Sequence, residues 1–155
     1  MVRRYITHIA VLLILILTVL YLTGCCFLPR KAQYTREKRL MVVTAYDAGP
    51  KSCGWKRKYG CIGPPVYAYG PHKGERKKVG ITADGTKTKK GTIAADTRYY
   101  PFGTKMYVPG YGWGEVHDVG SAIKGKNRID VFFSDHDDAL DWGRKKLKVT
   151  ILKPR

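Results

Sequence analysis

Three aspartates stand in settings where a carboxylate can do chemistry: Asp96 in TIAADTRYYPFGT, Asp118 in GEVHDVGSAIKG and Asp130 in NRIDVFF. Asp130 is the most unusual, because it interrupts a run of Ile, Val and Phe that reads as a strand, where a carboxylate gains nothing from a pleated, half-buried surface. A buried carboxylate must be paired or must hold its proton. A proton held near neutral pH is what a general acid requires, so Asp130 is the first candidate for proton transfer.

The elements that must position these residues are mostly strands. LMVVTAY, the segment around Ile93, KMYV, EVHDV, RIDVFF and LKVTIL are short, rich in β-branched and aromatic residues and separated by glycine turns. They predict a mainly β domain of about six strands. Asp84-Gly85 is a hairpin-type turn pair, and the turn accounts for Asp84 better than catalysis does. Residues 50–78 read as a loop that could lie as a flap beside the site. One short helix is expected late, with Asp135 as N-cap, Asp138 in the capping-box position and Gly143 at the stop. The Asp135, His136, Asp137, Asp138 cluster has divalent-cation ligation as its alternative, but capping explains the same residues without a metal.

The N-terminus bounds where the domain works. Arg3 and Arg4 precede an apolar stretch from Ile9 to Leu22 broken only by Thr18, followed by Thr23 and Gly24, the layout of a secretory signal. Leu22-Thr23-Gly24-Cys25 resembles the bacterial lipobox, which predicts residues 1–24 as a lipoprotein signal peptide and Cys25 as the lipidated first residue of the mature chain. An uncleaved signal anchor is the alternative, since Tyr5 to Leu28 is free of Lys, Arg, Asp and Glu. Either reading places the globular part outside the cytoplasm, facing the periplasm or the cell wall. Residues 25–39, charged and without apolar periodicity, are expected to be a tether, and residues 40–155 a single domain with one site.

The formal net charge of +17 attracts polyanions. For an exported chain these are cell-wall polymers and lipid head groups rather than nucleic acid. Cys53 and Cys61 flank CGWKRKYGC, and an exported location permits a local disulfide between them; free thiols or a metal site with His72 are the alternatives.

Thr44-Ala45-Tyr46, Gly80-Ile81-Thr82-Ala83-Asp84-Gly85, Gly91-Thr92-Ile93-Ala94-Ala95-Asp96, Pro101-Phe102-Gly103-Thr104, Pro109-Gly110-Tyr111-Gly112, Asp118-Val119-Gly120-Ser121-Ala122-Ile123-Lys124-Gly125 and Arg128-Ile129-Asp130 occur in the order of the three-aspartate (3D) domain family. The chain resembles its stationary-phase survival and resuscitation-factor-related members over residues 40–152, and its last third is similar to the membrane-bound lytic transglycosylase A family. Two departures stand out: Ser121 replaces the second glycine of the common Asp-x-Gly-Gly, and the Cys53 to Cys61 insert lies outside the shared pattern.

The resemblance implies a six-stranded double-psi β-barrel that cleaves the MurNAc-GlcNAc β-1,4 bond of peptidoglycan as a lytic transglycosylase. It implies Asp130 as catalytic acid/base, with Asp118 and Asp96 supporting it. One carboxyl group suffices for that reaction, because the muramyl 6-hydroxyl attacks the anomeric carbon in place of water, whereas hydrolytic glycosidases usually need two. Asp118 is expected to raise the pKa of Asp130 by like-charge repulsion. Thr44 and Thr82 are candidates for hydroxyl contacts to sugar or to the carboxylates, and Lys124 for a stem-peptide carboxylate; ordinary turn or strand roles are the alternative for each. No cofactor and no metal is called for. The expected partners are peptidoglycan glycan strands and, through the lipid, a membrane, with the protein a monomer. A non-catalytic, expansin-like glycan-binding module is the competing reading, since a barrel fold by itself does not separate binders from enzymes. An envelope polyanion binder is a third.

Overall fold

The computed structural model describes residues 8, 11–16, 18 and 34–154. Two units are distinguished, residues 1–32 and 33–155. In the first, residues 11–16 are helical and expose Val11 through Ile16, and the Thr18 hydroxyl donates to the Leu15 carbonyl at 2.8 Å. Among the described residues no helix is long and apolar enough to cross a membrane. The signal cleavage and the lipidation expected at Cys25 lie outside the described residues.

The second unit is built on eight strands: β1 (Tyr34–Tyr46), β2 (Trp55–Tyr59), β3 (Ile62–Tyr67), β4 (Thr92–Ala95), β5 (Lys105–Val108), β6 (Gly112–Asp118), β7 (Arg128–Phe132) and β8 (Lys145–Pro154). Six of them close a barrel in the order β1-β7-β4-β6-β5-β8. β1 with β7 and β4 with β6 run parallel, and the other neighbours run antiparallel. This is the mainly β, six-stranded double-psi barrel expected from the sequence, and closure removes the exposed edges an open sheet would carry.

The strands form where alternation lets one side fill the barrel. In β5, Met106 and Val108 are buried while Lys105 and Tyr107 face out. Met41, Val43, Ile129, Val131, Val149 and Ile151 contribute to the same core. β4 differs, since all four of its residues are buried. The late helix, α2 (His136–Trp142), follows α1 (Pro50–Cys53), and Asp135 caps α2 by accepting from the Asp137 and Asp138 amides at 2.8 and 3.2 Å. Trp142 of that helix packs edge-on to Tyr111 and beside Phe133, closing one end of the core.

Three expectations are corrected. β1 begins at Tyr34 and pairs with β8 from the Tyr34–Pro154 register onward, so residues 34–39 are barrel strand and not tether. Charged side chains hid this extension, because it pairs backbone to backbone on the outer reach of β8. Residues 50–78, expected to be loop, contain α1 and the antiparallel hairpin β2-β3. Pro64 and Pro65 argued against a strand, but the outer edge of β3 is only partly paired, with Tyr67 N donating to the Glu75 carbonyl and the Pro65 carbonyl accepting from Lys77 N, and proline is tolerated at such an edge.

The third correction is the disulfide. Cys53 and Cys61 are unbonded; Cys53 is half-buried and donates to the Asp47 carbonyl at 3.1 Å, and Cys61 is exposed. β2 separates them, and a strand of that length at about 3.3 Å per residue carries Cys61 to the hairpin tip, beyond the ~7 Å Cα separation a disulfide spans. We therefore expect a thiol reagent to label Cys61 rapidly and Cys53 slowly, with no change in melting temperature on reduction. Absence of a fast-reacting thiol at Cys61 in non-reduced protein would count against this geometry.

Candidate active site

One row of residues across the barrel assembles the site. The registers Thr44 to Asp130, Asp130 to Ala94, and Ala94 to Asp118 align β1, β7, β4 and β6 side by side. Neighbouring strands lie about 4.8 Å apart, so the Asp130 and Asp118 backbones stand roughly 10 Å apart with Ala94 between them. Alanine there leaves open the space a larger side chain would fill. Asp118 reaches this row through a register shift between Ile93 and Ala94, opposite which β6 advances from Val116 to Asp118. That extra residue is His117, and such a bulge re-aims the side chains beside it.

Asp130, Asp118, Ala94 and Tyr46 line a cavity of about 380 Å³. Its opposite wall comes from the end of α1 and the segment after it: Cys53, Tyr67, Tyr69, His72, Lys77 and Lys78. The Lys77 ammonium is anchored there, donating to the Cys53 carbonyl at 2.5 Å and lying 4.5 Å from the Tyr67 ring centroid. Burial pushes the Cys53 thiol pKa up, opposed by Lys77.

The two cavity carboxylates are held differently. Asp118 is fully engaged: one oxygen accepts from Tyr46 Oη at 2.9 Å, the other from the amides of Ala83 at 3.1 Å and Val119 at 2.9 Å. Burial holds the Tyr46 phenol far above its usual pKa, with the Asp118 charge adding to the effect, so Tyr46 is a fixed donor. Asp130 Oδ1, by contrast, is buried with no hydrogen-bond partner among the described residues. Burial raises the Asp130 pKa above the usual carboxylate range; the Thr44 hydroxyl and Arg128 oppose this, and Asp118 adds the smallest push. The like-charge repulsion expected from the sequence is present, but desolvation outweighs it.

Asp96 lies outside the cavity. It accepts from Arg98 Nε at 2.9 Å and Nη2 at 2.7 Å, and from the amides of Arg98 at 3.2 Å and Gly125 at 2.8 Å. The Arg98 bonds above all hold its pKa well below the usual range. Its task is to fasten the end of the loop that leaves Asp118. Thr82, a candidate sugar contact, is buried in the turn, its hydroxyl 2.6 Å from Asp84 Oδ1 and 2.9 Å from the Thr86 carbonyl. Lys124 is exposed and does not line the cavity; Lys77 and Lys78 hold the cationic positions there. Thr44 stands beside Asp130, with its hydroxyl 3.5 Å from the Ile129 carbonyl, at the limit of a hydrogen bond.

Asp84 is the turn residue expected, and more. Oδ1 accepts from Thr82, the Thr86 amide and the Thr86 hydroxyl, and Oδ2 lies 2.6 Å from His117 Nδ1. The turn is thereby tied to the bulge that presents Asp118. Sequence reasoning assigned no role to Tyr46 or Lys77. Tyr46 was legible in principle, since it lies two residues beyond Thr44 on the same strand face. Lys77 was not, being one of many lysines.

The family comparison covers all three aspartates. Residues 91–153 match the 3D domain family. The chain is 46% identical over 77 residues to YabE of Bacillus subtilis strain 168, a protein named for cell wall shaping, and 44% identical over 77 residues to the cell wall-binding protein YocH of the same organism. Each match covers 47% of this chain, and the chain spans only 19% of YabE and 26% of YocH. Among solved structures, MltA from E. coli is 22% identical over 48% of this chain and 28% of its own, with a TM-score of 0.40. The lytic transglycosylase LtgG of Burkholderia pseudomallei is 28% identical over 48% and 27%, with a TM-score of 0.39.

Proposed function

We propose that this domain is a peptidoglycan lytic transglycosylase with Asp130 as its single acid and base. The observation that carries this reading is the pairing of two unlike carboxyl groups in one cavity: Asp118 saturated with donors, and Asp130 half-buried, with its buried Oδ1 unpartnered and its pKa raised. Environments that separate two carboxyl groups in this way mark acid/base assignments.

In the proposed reaction the Asp130 carboxyl gives its proton to the glycosidic oxygen as the bond to the anomeric carbon breaks. The muramyl 6-hydroxyl oxygen bonds to that carbon, and its proton passes to the Asp130 carboxylate, which restores the acid. The products are a GlcNAc-terminated strand with a new hydroxyl and a 1,6-anhydro-MurNAc end, and no water is consumed. The tyrosine-rich wall and Lys77 are suited to hold sugar faces and a muramyl or peptide carboxylate. The domain would act outside the cytoplasm, with residues 1–24 as a lipoprotein signal and Cys25 as the anchor.

A cell-wall binder without catalysis is the second reading, favoured by the name of YocH. Mass spectrometry of peptidoglycan digested with the purified protein separates them: anhydro-muropeptides support the transglycosylase, new reducing ends a hydrolase, and retention without release a binder.

A pH profile tests the role of Asp118. The acid must be protonated to start, so activity falls as pH rises through the Asp130 pKa. Asp118→Asn removes the smaller of the upward pushes, and the alkaline limb should move to lower pH by a small amount. An unmoved or upward-moving limb would show that Asp118 does not act on Asp130 through its charge.

A further inference from the structure

A second concave surface lies outside the cavity and shares none of its lining residues. It is a groove of about 500 Å³ between the β4-entry turn and the outer face of β5 and β6, lined by Lys89, Lys90, Lys105, Trp113, Glu115 and His117 among others. Two features distinguish it from a solvated basic surface. The first is a pair of exposed aromatic rings: Tyr107 and Trp113 face each other across β5 and β6, with ring centroids 5.5 Å apart and exposures of 41% and 56%. A soluble domain gains nothing by holding an indole in water beside a second ring, and such a platform suits the C–H faces of a pyranose.

The second feature is how firmly the lysine turn is held. Lys89 N donates to Thr92 Oγ1 at 3.1 Å and its carbonyl accepts from Thr92 N at 2.9 Å. Gly91 N donates to Tyr111 Oη at 2.8 Å, and the Gly91 carbonyl accepts from Glu115 N at 2.8 Å. No ion pair engages Lys89, Lys90 or Lys105 among the described residues. Glu115 is the one acid among the lining residues, 3.9 Å from His117 Nε2, and it stands against three lysines.

The basic character continues beyond the groove. In one transverse row Trp113, Tyr107, Thr150 and Lys38 are neighbours, and in the next Glu115, Lys105, Leu152 and Arg36. A chain laid across the strands from Trp113 would meet sugar-stacking rings first and cations after.

We propose that this face is a second glycan-binding site, specific for a sugar polymer bearing phosphate or carboxylate groups. Its concavity favours a polymer chain over a flat lipid surface, and its aromatic pair favours sugar over a bare polyanion. The site stands independently of the catalytic reading, because it would serve an enzyme and a binder equally.

The test measures affinities of the intact protein for a glycosylated poly(ribitol phosphate), for polygalacturonate, for polyphosphate and for equimolar phosphatidylglycerol–phosphatidylcholine vesicles. At least one sugar polymer should bind more tightly than polyphosphate or vesicles, and comparison of the two sugar polymers identifies the preferred anion. Trp113→Ala should weaken that binding by roughly tenfold or more, as loss of an aromatic anchor does. The double variant Lys89→Gln, Lys90→Gln removes no packing and should weaken binding while flattening its salt dependence. Asp130→Asn should bind as the wild type does. Equal affinity for polyphosphate, tighter binding to vesicles, no binding to either sugar polymer, or unchanged affinity in a folded Trp113→Ala variant would each overturn the proposal.

Discussion

Asp130→Asn should lower glycan cleavage by at least about a hundredfold, the usual cost of losing a positioned acid/base. The substitution preserves size and shape, and an amide cannot cycle a proton. Glycan retention should persist, because the cavity wall of Tyr67, Tyr69 and Lys77 is untouched. The same variant reports on the raised pKa through stability. Because the folded-state pKa of Asp130 lies above its unfolded value, the unfolded chain binds fewer protons between the two, and stability falls as pH rises through that window. The folded wild type therefore bears a cost at neutral pH that Asn does not. Asp130→Asn should melt higher than wild type near pH 7, and the gain should vanish below about pH 4, where the carboxyl is protonated folded or unfolded. A folded variant that still releases anhydro-muropeptides at the wild-type rate would remove Asp130 from the mechanism. A stability gain that does not depend on pH would instead dispute its burial as a charge.

Gly114→Ala should be the most damaging small substitution in the barrel. A Cβ at that position would stand 2.6 Å from the Gly91 carbonyl oxygen and 2.7 Å from Ile93 Cδ1. The first of these is backbone, already bonded to the Glu115 amide, and cannot swing aside. Relief requires β6 to move off β4, in the pair whose register shift aims Asp118 at the cavity. Overpacking of this kind costs about 1 to 3 kcal/mol and sometimes more. We expect a melting temperature lower by several degrees and a loss of activity out of proportion to the fraction unfolded. Gly85→Ala, with no atom within 4 Å of its added Cβ, should leave the β4-β6 contact intact and cost only the strain of its positive φ. Equal activity of folded Gly114→Ala and wild type would mean that the register shift does not set the geometry of the site.

The barrel strands were legible from their short β-branched and aromatic runs, with alternate burial as in β5 or continuous burial as in β4, and both are properties of the local sequence. The Asp135 cap of α2 was legible for the same reason, since its bonds reach only two and three residues along. The hairpin β2-β3 was not, because a two-stranded ribbon buries little: Val66 is its only fully buried residue, and prolines and lysines mask the pairing.

Sequence alone therefore determined which carboxylate was anomalous, since an aspartate inside RIDVFF is out of place before any fold is known. It also determined that the chain builds a strand-rich domain, whose likeness to the 3D domain, matched over residues 91–153, was readable from the order of its motifs. What it could not determine is which of the three aspartates share a cavity. Asp96 and Asp118 look alike as loop-flanking acids, yet one binds Arg98 and Gly125 and the other faces Asp130 across Ala94. That choice depends on strand order, on parallel pairing and on the extra residue at His117, all of which arise from contacts distant in sequence. Likewise Cys53 and Cys61 are near neighbours in sequence and are kept apart by a strand whose pairing only the folded chain decides. Local pattern fixes which residues face inward; closure of the barrel fixes which of them meet.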